Sequence, residues 1–122
     1  MSCKEHQLIF DKAARTATTS ATLSVESTSG LFFIDVTALT AGASLVFTIA
    51  GVSPTNSATV YTILASAAIT ATGLTVLRVH PQLTAAANTI AKDVLPASLK
   101  VTCTAADSKS VTYEMRFVGT DD

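Results

Sequence analysis

The sequence is poor in the residues that carry chemistry. Its 122 residues include no tryptophan and only two cysteines, two histidines and five glycines. Charged residues make up 14%, well below the roughly one quarter that is usual in soluble domains. The eight basic residues are scattered and the net charge is −1, which argues against direct nucleic-acid binding, since that requires clustered Lys and Arg.

No catalytic or ligand-binding motif is present. The glycines stand singly, so no phosphate-binding loop is formed, and there is no G-x-S-x-G nucleophile elbow. Cys3 and His6 are close enough in sequence to share a metal ion, but Cys103 is far along the chain and no C-x-x-C occurs. We therefore expect no enzymatic activity, no catalytic residue, no metal site and no cofactor.

The sequence also offers no segment for a membrane. Its most apolar window, residues 63–77, is interrupted by serine, threonine and glycine and is shorter than the roughly 20 residues of a spanning helix. The first ten residues, MSCKEHQLIF, carry charges and lack the apolar run of a signal peptide. We expect no membrane partner, and synthesis and folding in a cytoplasm.

What the chain does contain is threonine, serine and valine in segments that alternate between apolar and polar residues. Alternation with a period of two is typical of β-strands, whereas no sustained helical period is found. We predict an all-β fold, an antiparallel β-sandwich or jelly-roll-like barrel of about eight strands. The predicted strands are residues 6–10, 21–27, 31–38, 44–51, 59–66, 74–79, 98–105 and 110–117.

The last two segments alternate most regularly. Their pattern places Val101 and Cys103 on the inward face of one strand, and Val111 and Tyr113 on the inward face of the next. The polar stretch 105–110 between them, AADSKS, is predicted to close a hairpin. Residues 80–96 are less clear, because an Ala-rich middle bracketed by Pro81 and Pro96 fits either a short helical turn within 83–91 or an irregular crossing.

The N-terminal residues are predicted to form a flexible arm, residues 1–10, ahead of a single β-sandwich domain, residues 11–122. Residues 6–10 fit either an arm or an edge strand. Either the edge strand or the arm would add a strand to the sheet of a neighbouring subunit, and the arm would clasp that subunit. The candidate clasping residues are Lys4, His6, Leu8, Ile9 and Phe10.

The two cysteines are candidates for a disulfide between subunits. Cys103 falls on a predicted inward face, where it would act as a small buried hydrophobe, and Cys3 lies in the predicted arm. A reducing cytoplasm would leave both unpaired, but a released particle meets oxidising conditions, in which the arm thiol would cross-link to a neighbour. The alternative is that Cys3 is an incidental free thiol.

Two long stretches resemble one family. The run YTILASAAITATGLTVLRVHPQLTAAANTIAKDVLPASLKVTCTAADSKSVTYEMRF (61–117) is similar to small proteins encoded in the structural-gene modules of tailed bacteriophages. The earlier run FFIDVTALTAGASLVFTIAGVSP (32–54) is similar to the first half of the same family. The segment MSCKEHQ and the two cysteines depart from the family pattern, so the resemblance says nothing about an arm or a cross-link.

The resemblance implies a structural role in the virion, with assembly in the host cytoplasm. The expected partners are the major capsid protein or other virion proteins, and further copies of this chain in a homo-oligomer. We expect a capsid decoration or cement protein that stabilises the head by packing between subunits. The alternatives are a neck, collar or tail component, and a module that binds the host surface. A weakly charged, hydroxyl-rich surface suits burial in an assembly, although a free β-protein with Thr-rich solvent faces would share it.

Overall fold

The chain forms two β-sheets packed face to face. The computed structural model describes residues 3–56 and 58–120, with side chains from Glu5 onward, and no residue in these ranges is helical. The strands are β1 Cys3–Arg15, β2 Thr19–Ser24, β3 Ser29–Leu39, β4 Leu45–Val52, β5 Val60–Ala65, β6 Gly73–Val79, β7 Ile90–Ala91, β8 Ser98–Ala105 and β9 Val111–Thr120.

The strands divide into two sheets in an order that differs from the chain order. Sheet A has the order β1-β9-β3-β6-β7, and sheet B has the order β2-β8-β4-β5. All pairs are antiparallel except β6 and β7, which run parallel. The predicted all-β sandwich is confirmed. Its lateral edges are β1 and β7 in sheet A, and β2 and β5 in sheet B.

One hydrophobic core lies between the sheets, and aromatic rings pack against one another at its centre. Tyr113 of sheet A meets Phe47 of sheet B edge-on, with ring centroids 5.2 Å apart, and meets Phe10 in the same way at 5.8 Å. Phe32 and Phe117 lie side by side in sheet A, with centroids 4.9 Å apart. Each fully buried large apolar side chain stabilises the fold by roughly 1.5–3 kcal/mol, so these rings contribute substantially to the free energy of folding.

The predicted inward faces are confirmed wherever the alternation is regular. Val101, Cys103, Val111 and Tyr113 are all buried, and their sequence neighbours on these strands face outward. The physical reason is that each strand has one face in the core and one in solvent, so a pattern with a period of two fixes the orientation of its side chains.

The predicted hairpin at 105–110 is wrong. β8 pairs with β2 and β4 in sheet B, whereas β9 pairs with β1 and β3 in sheet A, so residues 106–110 cross from one sheet to the other. Alternation fixes which side chains point inward but not which strand is the neighbour. Both strands point their apolar faces at the same core from opposite sides, and the polar connection fits either arrangement.

The flexible arm also has to be corrected over its described residues. Residues 3–15 form β1, which pairs with β9 from Cys3 opposite Thr120 to Arg15 opposite Val111. Phe10 is buried in the core and anchors the strand. The edge-strand alternative for residues 6–10 is therefore the one observed, and the strand continues without a break past residue 10.

Residues 83–91 are not helical. The N–H groups of Thr89 and Ile90 both donate to the carbonyl of Ala86, and Asn88 has a left-handed backbone with φ of 63°. The chain then enters β7, where Arg78 N–H donates to the Thr89 carbonyl. Pairing with β6 satisfies backbone groups that a short helix would have left open at its ends, and this outweighs the weak helix preference of alanine.

Candidate functional site

The described residues hold no cluster that suggests chemistry. Within 3–56 and 58–120 there is no group of three or more His, Cys, Asp or Glu side chains that could hold a metal ion. The described part of the chain also has no helix long and apolar enough to cross a membrane. The features that remain as candidates for function are the lateral edges of the two sheets, which differ sharply from one another.

On one side of the sandwich, Glu5 ties the edge strand of sheet A to the chain that follows the edge strand of sheet B. Its Oε1 accepts hydrogen bonds from the backbone N–H of Glu26 at 2.7 Å and of Ser27 at 2.9 Å. The same oxygen accepts a hydrogen bond from Ser27 Oγ at 2.7 Å. Three donors on one carboxylate oxygen make a charge-assisted link between β1 and the segment after β2.

Neighbouring residues complete this link, which we call the Glu5 clasp. Gln7 Nε2 donates to Glu5 Oε2 at 3.0 Å and to the Ser24 carbonyl at 2.7 Å. Burial raises the pKa of the Glu5 carboxyl, but the hydrogen bonds from Ser27, Gln7 and the backbone outweigh it and hold the pKa below its usual value. Gly119 lies beneath, where a side chain would collide with Ser27 Oγ, so the close approach requires glycine.

Arg15 fixes the C-terminal end of β1 through contacts with aromatic rings and with the backbone. Its guanidinium lies 4.6 Å from the centre of the Tyr113 ring and 5.5 Å from that of Phe10, within the range of cation–π attraction. It also donates to the Tyr113 carbonyl at 3.2 Å and to the Asp11 carboxylate at 3.0 Å. β1 is thus fixed at both ends, and its pairing with β9 is interrupted by three bulges, which discourage a further strand from joining.

The predicted clasping residues do not share one surface. His6 and Leu8 face solvent, Ile9 is partly buried against the core and Phe10 is buried. The backbone of Lys4 belongs to β1, but its side chain lies outside the described residues. Of the five predicted clasping residues, only His6 and Leu8 therefore present described side chains to a neighbour.

The two cysteines are placed very differently. Cys103 is a free thiol, fully buried on β8, where burial raises the pKa of the thiol. The Tyr113 hydroxyl beside it has no hydrogen-bond partner with good geometry among the described residues, and burial raises its pKa as well. A disulfide from Cys103 to another subunit would require the sandwich to open. The side chain of Cys3 lies outside the described residues.

On the opposite side of the sandwich, the edge of sheet B carries no charge. β5 reads VYTILA, and residues 36–77 around it contain no Asp, Glu, Lys, Arg or His. Val60 is 43% exposed and Tyr61 is 47% exposed. Charge, proline and bulges are the usual devices that keep an edge strand from pairing with another chain. Charge and proline are absent from β5, and its pairing with β4 contains one bulge, between Thr62 and Leu64.

Part of the β5 backbone is open to a partner. The Thr59 carbonyl accepts from Ser53 N–H of the preceding segment, so by the alternation of an antiparallel ladder the backbone groups of Val60 and Thr62 point away from β4. Further along, Asn88 Nδ2 donates to the Ala65 carbonyl at 3.1 Å and covers that end of the strand. The accessible edge is therefore the first half of β5.

A shallow groove of about 320 Å³ lies beside the covered end of β5 and extends the uncharged surface. It lies where the segment after β5 meets β6 and the turn before β7. We call the β5 edge together with this groove the neutral side. The residues that line the groove are Ala67, Ala68, Ile69, Thr70, Ala71, Thr75, Asn88 and Thr89.

The sequence draws attention to a different edge strand from the one that the structure leaves unprotected. Charges near the N-terminus drew attention to residues 1–10, whereas the signal for β5 was the occurrence of apolar residues on both faces of the predicted strand 59–66. A strand with apolar groups on both faces is either central or has an unprotected surface. The Glu5 clasp had no signal in sequence, because its donors at Glu26 and Ser27 lie more than twenty residues from Glu5.

A comparison of the chain with protein-family models, curated proteins and solved structures finds no significant match.

Proposed function

We propose that this chain is a structural subunit of a tailed-bacteriophage particle, and specifically a decoration or cement protein that stabilises the capsid by packing between subunits. The observation that carries the proposal is the neutral side, the uncharged surface formed by the β5 edge of sheet B and the adjoining groove. The resemblance of residues 32–54 and 61–117 to virion structural proteins supports the same role.

The mechanism follows from the exposed groups of β5. A strand from a neighbouring subunit pairs with the backbone of Val60 and Thr62, and its side chains cover Val60 and Tyr61. Removal of apolar area from water contributes about 25 cal/mol per Å². One such contact is weak, but many copies on one lattice act together, because each bound subunit holds its neighbours at high effective concentration.

The other lateral edge is less suited to this role. β1 carries charged residues and three bulges, whereas β5 carries no charge and one bulge. The Glu5 clasp and Arg15 also engage the two ends of β1 within the same subunit. A strand that joined β1 would have to follow its irregular backbone. We therefore assign assembly to β5 rather than to the N-terminal segment.

Copy number in purified particles tests the location. Quantitative mass spectrometry against the major capsid protein should give on the order of hundreds of copies per particle if the chain covers the capsid lattice. A handful to a few dozen copies would instead place it at the neck, collar or tail, and the cement mechanism would be withdrawn. Absence from particles would overturn the virion role altogether.

A charged residue on the β5 edge tests the mechanism. Thr62→Lys places an ammonium group on the accessible edge, and we expect occupancy on particles to fall by roughly tenfold, as a loss of about 1.4 kcal/mol gives. Ser20→Lys on β2, an exposed position on the other edge of sheet B, is the matched control. Equal occupancy of the two variants would exclude β5 as the interface.

A further inference from the structure

A cavity lies at one end of sheet A, apart from the neutral side. It has a volume of about 120 Å³ and sits where β3, β6 and the end of β9 meet the loop that follows β6. Its wall is almost wholly apolar, and an engineered apolar cavity of roughly 150 Å³ is known to accept benzene. The space therefore suits one small ring or branched chain. Its lining residues are Gly30, Leu31, Arg78, His80, Leu83 and Thr120.

His80 forms part of this wall and is 5% exposed. Its Nδ1 accepts a hydrogen bond from the backbone N–H of Gln82 at 3.0 Å, so Nδ1 carries no proton and the proton of the neutral ring is on Nε2. Nε2 is buried and has no hydrogen-bond partner among the described residues. A buried donor without an acceptor destabilises the protein unless something supplies one.

The other polar groups that line the cavity determine which charge a bound ligand would carry. Arg78 is exposed at the cavity and forms no ion pair with any described carboxylate, so its guanidinium is available. The Thr120 hydroxyl is engaged with Ser29 Oγ at 2.6 Å, within the protein. Among the described residues, His80 Nε2 is thus a donor without an acceptor and Arg78 is a cation without an ion pair, and both lie beside an apolar space.

We propose that this cavity binds a carboxylate carried on a small apolar body. One carboxylate oxygen accepts the Nε2–H of His80, the guanidinium of Arg78 balances the charge, and the apolar body lies against Leu31 and Leu83. Two sources share this chemistry, a free small organic acid and a carboxylate group of a neighbouring subunit. The proposal does not depend on the assembly role of β5.

Benzoate is the probe, because its ring matches the cavity and its carboxylate matches the donors. Titrated into the full-length ¹⁵N-labelled protein, benzoate should give saturable shifts confined to residues 30–31, 78–83 and 120, together with a shift of the His80 Nε2–H signal. Arg78→Gln should weaken the affinity by about tenfold, as loss of a charge-assisted contact does. Arg116→Gln, another partly exposed arginine on sheet A, is the control and should bind as the parent does.

Benzyl alcohol, which has the same ring without the charge, separates carboxylate recognition from filling of an apolar space. If it binds as tightly as benzoate, or if Arg78→Gln binds benzoate unchanged, the proposal fails. Absence of saturable shifts with benzoate would overturn it and leave the cavity to solvent.

Light scattering during the titration distinguishes the two sources of the carboxylate, a free acid and a neighbouring subunit. A falling average mass shows that benzoate displaces a neighbouring subunit's carboxylate, and an unchanged mass shows a site for a free acid.

Discussion

The Glu5 carboxylate joins β1 to the segment after β2 at one lateral edge, where Oε1 accepts three hydrogen bonds from Glu26 and Ser27. Its Oε2 accepts a further hydrogen bond from Gln7 of the same strand. Its donors include two backbone N–H groups at Glu26 and Ser27 that lie just past β2, where the ladder with β8 ends. The interaction favours the ionised carboxylate, because hydrogen bonds from N–H and O–H groups stabilise negative charge. Part of the stability of the sandwich is therefore linked to the protonation of one residue.

Replacement of Glu5 by Gln should lower the free energy of unfolding at neutral pH by about 1 kcal/mol, since the carboxylate is partly solvated. The folded pKa of Glu5 is lowered from 4.5, so its contribution is fully present above the unfolded pKa and is lost as the pH falls through the folded pKa. Denaturant unfolding at pH 7 and near pH 2 should show a difference between parent and variant only at pH 7. Glu114→Gln, which removes a surface pair with Arg116, should change little at either pH. A difference that persists unchanged at low pH would exclude the ionised clasp.

At the scale of the strands, the sequence predicts where most strands lie and which of their side chains point inward, but not which strands pair with each other. The predicted strands 31–38, 44–51 and 98–105 coincide closely with β3, β4 and β8, because alternation with a period of two is a local property. β1 is longer than predicted. The sequence predicts a strand only over residues 6–10 of its thirteen residues, because bulges break the alternation of apolar and polar side chains. Its partner β9 is at the other end of the chain, which no local pattern reveals.

The pairing of β1 predicts that the N-terminal residues stabilise the fold. Deletion of residues 1–8 removes Glu5, Gln7 and the partners of β9 from Arg116 to Thr120. We expect the free energy of unfolding to fall by at least about 2 kcal/mol, measured by denaturant titration, because several net hydrogen bonds are lost at once. Deletion of residues 1–2 alone serves as the control. Equal stability of the two deletions would show that the segment behaves as the independent arm that the sequence first indicated.

For the whole molecule, the topology could not be derived from the sequence, because strands that follow each other in the chain lie in different sheets in every case except β4–β5 and β6–β7. β8 and β9 are separated by a short polar connection, yet they belong to opposite sheets. β9 lies between β1 and β3 and directs Tyr113 and Phe117 into the core, so sheet A depends on the last strand of the chain. The candidate cavity at His80 was equally hidden, since its walls come from β3, β6 and β9.

Two substitutions at adjacent residues of β9 test both the position of β9 at the core of sheet A and its register with β1 and β3. Val111 is 1% exposed and points into the core, whereas Thr112 points outward opposite Ala14 and Ala38. Val111→Asp buries a carboxylate without a partner at a penalty of several kcal/mol, comparable with the roughly 5–15 kcal/mol that holds such a domain together. We expect far-UV circular dichroism to show an unfolded chain for Val111→Asp and a cooperative melt for Thr112→Asp. A cooperative melt for Val111→Asp with loss of folding in Thr112→Asp would mean that β9 is shifted by one residue, which would turn every side chain of the strand to the opposite face.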